Sequence, residues 1–125
     1  MAFTVWLEHG RLFRQGEDIE MKRHFLIKLI PPRPSFAQDM TNEEKQLMQR
    51  HAAYWTTLAE TGVALLFGPV SDPAGSYGIG VVEVEDEEHL GVLTANDPVT
   101  TSGRQFKHEA YLMPRVVVSK HLGSE

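Results

Sequence analysis

Seven residues limit the fold of this chain more than any others. In His24-Phe25-Leu26-Ile27-Lys28-Leu29-Ile30, the side chains of Phe25, Ile27 and Leu29 point one way and those of Leu26, Lys28 and Ile30 the other. This alternation describes a strand that is apolar on both faces. It ends at Pro31-Pro32-Arg33-Pro34, where the prolines cannot pair inside a sheet. A polar loop to about Met40 is expected next. A sheet built on such a strand needs cover on two sides, and the rest of the chain must supply it.

The elements downstream supply cover for one side. Thr41 reads as a helix N-cap and Glu44, three residues on, completes a capping box. The helix runs to about Thr61, where Gly62 stops it. Leu47, Met48, Ala52, Tyr54, Trp55, Leu58 and Ala59 fall on a 3.6-residue period. Val63–Val70 and Tyr77–Val84 read as strands joined through the turn Asp72-Pro73-Ala74-Gly75. Glu85–Glu88 opens a second helix capped by Asp86, which must end before Asp97-Pro98. Lys107–Val118 is the last strand, bent at Pro114.

The order β-α-β-β-α-β predicts an α+β, ferredoxin-like fold, with a four-stranded antiparallel sheet and two helices on one face. The second apolar face is left uncovered, and large exposed apolar patches are rare on monomers. A homodimer packed sheet to sheet is therefore expected. Residues 1–20 show no sustained periodicity and are read as an N-terminal extension outside the core. Residues 21–118 form the domain and 119–125 a C-terminal tail. A chain of 125 residues is the length of one domain.

Composition removes several functional classes. There are 12 Lys+Arg against 17 Asp+Glu, so the chain is acidic and lacks the basic face a nucleic-acid partner would need. Cysteine is absent, which removes disulfide scaffolds, thiolate nucleophiles and Cys-ligated metals. No apolar run is long enough to span a membrane, and a cytoplasmic protein is expected. The six histidines show no metal-ligand spacing. His24 and His108 begin antiparallel strands, which puts them at opposite ends of the sheet. Gly75-Ser76-Tyr77-Gly78-Ile79-Gly80 leads into a strand, whereas a phosphate cradle leads into a helix. Neither a metal nor a cofactor is expected.

What remains is histidine and carboxylate chemistry. His51 lies four residues after Leu47 and four before Trp55, on the stripe facing the core, and is the one histidine placed where a pocket can use it. Read alone it is a core histidine with one satisfied hydrogen bond. Asp97 read alone is turn chemistry before proline. A carboxylate beside a histidine would fix its tautomer and strengthen it as a base, but only a fold can bring the two together. Arg33, in a proline-stiffened loop, is a candidate for binding an anionic group. Gly68 and Pro69 end a strand where a ligand can approach closely, and Ser76 at the hairpin tip can hydrogen-bond one.

Four segments carry a resemblance: Phe25–Pro34, Met48-Gln49-Arg50-His51-Ala52-Ala53-Tyr54-Trp55, Phe67-Gly68-Pro69-Val70 and Asp97-Pro98. In order and spacing they resemble the YCII-related (YciI-like) proteins over about residues 21–116. The resemblance implies a dimeric α+β barrel and a His–Asp dyad. The helix histidine of the family falls on His51, the aspartate before proline on Asp97, and the Gly-Pro motif on Gly68-Pro69. It implies no particular reaction. The expectation is a cofactor-independent acid–base enzyme of the isomerase or lyase type, including elimination or loss of halide. It would act on a small cyclic or carboxylated molecule, with Arg33, Gly68, Pro69 and Ser76 binding it. The alternative is a non-catalytic small-ligand-binding or interaction module on the same dimer.

Overall fold

A computed structural model describes residues 22–120 together with the backbone of three short strands before them. Those strands, β1 (Val5–Glu8), β2 (Arg11–Arg14) and β3 (Glu17–Glu20), form an antiparallel sheet of their own. The second sheet holds β4 (Arg23–Ile30), β5 (Ala64–Val70), β6 (Tyr77–Val84) and β7 (Lys107–Met113), in the order β5-β6-β4-β7, all pairs antiparallel. This is the ferredoxin-like order expected from the sequence.

The long helix α2 (Asn42–Glu60) begins as its sequence requires. Thr41 Oγ1 accepts from Glu44 N at 3.1 Å and Glu44 Oε1 accepts from Thr41 N at 2.9 Å, closing the capping box. Asp86 caps α3 (Glu87–Ala95) by accepting from His89 N.

Cross-strand pairing fixes which side chains meet the helices. Phe25 pairs with Val82 and Ile27 with Gly80, and this face packs on Trp55, Leu90 and Leu93. A second buried group joins Leu29, Leu47 and Val99. The opposite face carries Leu66, Val81, Leu26 and Tyr111 in register across the four strands, with Leu66 and Tyr111 exposed.

Three expectations need correction. The loop before α2 contains a four-residue helix, α1 (Phe36–Asp39), and the loop after α3 contains another, α4 (Pro98–Thr101). Each is too short to show a period and is held by one buried side chain, Phe36 and Val99 respectively. Strand β7 ends at Met113 instead of continuing to Val118, because Pro114 has no amide to donate to the ladder. In the expected N-terminal extension, residues 1–20, the described backbone is that of β1, β2 and β3, paired with one another in a separate sheet, and residues 121–125 of the expected tail lie outside the described residues. Among the described residues, no helix is long and apolar enough to cross a membrane.

Candidate active site

A cavity of about 320 Å³ opens between the helices and the sheet. Its origin is in β6, where two consecutive helix-facing positions are Gly78 and Gly80, paired with Leu29 and Ile27. Trp55 fills the space over Gly80, and the space beside Gly78 stays open. Along α2, Leu47 belongs to one buried group and Trp55 to the other. His51, midway between them on the same face, stands over the gap and lines the cavity. Ile27, Leu29, Phe36, Met48, Phe67 and Phe106 are among the residues that wall it. The surface offered to a ligand is almost wholly apolar and aromatic.

Asp97 lies behind this wall and is 0% exposed. It caps α4, with Oδ1 accepting from Val99 N at 3.1 Å. The same oxygen meets His51 Nδ1 at 2.8 Å, and Oδ2 accepts from Trp55 Nε1 at 2.8 Å. Burial pushes the carboxyl up, but the reach of His108 and His51, the charge of His51 and the Trp55 indole outweigh it. The group is held well below the usual carboxylate range. An ionised carboxylate only accepts, so His51 Nδ1 carries the proton and donates it. The other ring nitrogen, Nε2, is left with its lone pair on a ring that borders the cavity.

The structure thus brings His51 and Asp97 together. It also places a residue that sequence reasoning passed over. His24 and His108 are indeed at opposite ends of β4 and β7, His24 facing Met113 and His108 facing Leu29. Yet His108 lines the cavity, and its Nε2 stands 3.6 Å from Asp97 Oδ2. That is an ion-pair distance, not a formed hydrogen bond. His51 is therefore not the one histidine at the pocket. Strand alternation puts His108 on the face shared by Ala110 and Leu112, and this was the available signal.

Gly68, Pro69 and Ser76 all line the cavity. Arg33 does not. Its guanidinium forms a fork on Glu44, with Nη1 to Oε2 at 2.9 Å and Nη2 to Oε1 at 2.8 Å, while Nε reaches Asp39 Oδ1 at 2.8 Å. Arg33 borders a neighbouring, more polar hollow of about 790 Å³. It clamps the proline loop and α1 to the start of α2, and α1 contributes Phe36 and Ala37 to the cavity wall.

This clamp has a consequence in acid. The hydrogen bonds from Arg33 lower Glu44 from 4.5 to about 2, and also lower Asp39. Groups depressed in the folded state stabilise it above their unfolded values, and that contribution is lost as pH falls through the folded ones. Urea midpoints should therefore hold steady down to about pH 4.5 and fall between there and about pH 2. Glu44→Gln should flatten the fall. An equal slope in that variant would show that the clamp does not carry the effect.

Fold and site together define a small α+β protein in which a buried carboxylate aims an imidazole into an apolar cavity. Residues 25–111 match the model of the YCII-related domain, and the chain belongs to that family. A comparison with curated proteins finds no significant match.

Proposed function

We propose that this protein is an acid–base enzyme of the isomerase or lyase type acting without a cofactor on a small, largely apolar cyclic molecule. The observation that carries the reading is the 2.8 Å contact of His51 Nδ1 with the buried Asp97. It leaves Nε2 as a proton acceptor at a cavity wall where a flat ring can lie against Trp55, Phe67 and Phe106. In this reading His51 takes a proton from carbon and Asp97 stabilises the imidazolium that forms. The apolar walls exclude water and strengthen that attraction. The sequence expectation of an anionic group on the substrate, bound by Arg33, is not carried forward, since that guanidinium is engaged by two carboxylates.

The test uses 5-nitrobenzisoxazole, a flat bicyclic compound whose ring opens when one base removes one proton. The native protein should open it, and His51→Gln should lower the rate by about 10²–10⁴-fold with an unchanged circular dichroism spectrum. Equal rates would overturn the assignment and favour a binding module.

The reading includes a homodimer, with the second sheet face of one copy packed on that of another. Leu66 and Tyr111, at 41% and 51% exposure, support it. Light scattering should give about twice the chain mass of 14.1 kDa, and Tyr111→Glu should give the single chain. A monomeric native protein would contradict it.

A further inference from the structure

The carboxylate of Asp97 has two oxygens, and a histidine approaches each. His51 Nδ1 is 2.8 Å from Oδ1, and His108 Nε2 is 3.6 Å from Oδ2. Among the described residues, His108 Nε2 is the buried side-chain nitrogen or oxygen with no hydrogen-bond partner. Such a group costs free energy, so its place against a buried anion calls for an explanation. Catalytic contacts are often long without a ligand and shorten when one binds. Both rings line the same cavity. Each turns one nitrogen towards Asp97 and, among the described residues, has no hydrogen-bond partner at the other. Among the described residues, the remaining titratable group on the cavity wall is the phenol of Tyr77. Tyr54, on α2, is near enough to Asp97 for its phenol to be raised, first by burial and then by that charge.

We propose that His108 is a second catalytic residue, the acid that returns a proton to the ligand while His51 removes one. The inference rests on the acid–base reading above and extends it to reactions that move a proton between two positions of a ring. Asp97 supplies one negative charge, enough to support one imidazolium at either oxygen. At the start His108 holds the extra proton and His51 is neutral. His51 Nε2 takes a proton from a ring carbon, and the C–H electron pair becomes part of a new C=C bond. The π pair of the old double bond takes a proton from His108 Nδ1. One proton leaves the ligand and one arrives, with no change of oxidation state. The total charge on the three side chains is the same before and after, which suits a site walled by apolar groups.

Two probes separate the roles. Opening of 5-nitrobenzisoxazole needs a base alone. Conversion of cyclohex-3-enone to the conjugated enone needs a proton removed at one carbon and delivered at another. The native protein should catalyse both, and His51→Gln should lose both. His108→Gln should lower the enone conversion at least tenfold more than it lowers benzisoxazole opening, with an unchanged circular dichroism spectrum; His108→Asn should do the same. A native protein that opens the benzisoxazole but leaves the enone untouched overturns the role of His108. So does a His108→Gln variant that keeps both rates, or loss of both in the two His108 variants. Each of these leaves His51 as the base. Failure of the native protein on both probes, or retention of both by His51→Gln, overturns the acid–base reading itself.

Discussion

Asp97→Asn is expected to remove nearly all base catalysis, by about 10³–10⁴-fold, while leaving a folded protein. Asparagine keeps the size of the side chain but exchanges one acceptor oxygen for an NH₂ donor. In the native site both oxygens accept, from His51 Nδ1, Trp55 Nε1 and the Val99 amide. Whichever way the amide turns, one donor meets another. If the NH₂ faces Trp55, an indole N–H is left buried and unpaired at about 1–3 kcal/mol. If it faces His51, the imidazole relieves the conflict by moving its proton to Nε2, and the nitrogen at the cavity then donates instead of accepting. Either outcome spoils the site. The check is a rate on 5-nitrobenzisoxazole together with a urea titration. A variant that opens the probe at the native rate would show that Asp97 does not direct His51.

Gly80→Ala is expected to be among the most damaging small changes in the chain. A Cβ at this position would stand 2.5 Å from Trp55 Cζ3 and 2.8 Å from Cη2. No flexible side-chain end is available to give way, because the indole is 3% exposed and tied to Asp97. Overpacking alone costs about 1–3 kcal/mol. Moving the indole also withdraws a donor from a buried carboxylate, at about 1–3 kcal/mol more. Thermal unfolding should fall by roughly 10 °C or more, with a red-shifted emission of Trp55 in a Trp6→Phe background. Gly91 on α3 provides the contrast. Nothing lies within 4 Å of a Cβ there, and Gly91→Ala should stabilise by about 0.5–1 kcal/mol. An unchanged midpoint in Gly80→Ala would remove the link from β6 through Trp55 to Asp97.

Much of this architecture was legible in the sequence because it rests on local chemistry. Thr41 and Glu44 mark the start of α2 by their own hydrogen bonds, and the turn Asp72-Pro73-Ala74-Gly75 marks the approach to β6 at Tyr77–Val84. The spacing of Leu47, His51 and Trp55, four residues apart along one helix face, already placed the histidine on the inner face. What escaped depends on contacts distant in sequence. Two helices of one turn each have no period to read, and packing of Phe36 and Val99 creates them. Arg33 read as a free cation because nothing in a linear pattern shows that Glu44 and Asp39 will fold around it. His108 was set aside because a strand-end histidine says nothing of what lies across the sheet, and Asp97 reaches it only from α4. Trp55 was counted as core, and so it is, but its N–H also completes the carboxylate's partners.

The central claim is that Asp97 fixes His51 as a base with its acceptor nitrogen at the cavity. Long-range ¹⁵N–¹H spectra of the imidazole rings in the full chain test it most directly. With His51 neutral, the account expects the proton on Nδ1 and an unprotonated Nε2, with the pattern lost in Asp97→Asn. A native His51 carrying its proton on Nε2 would contradict it.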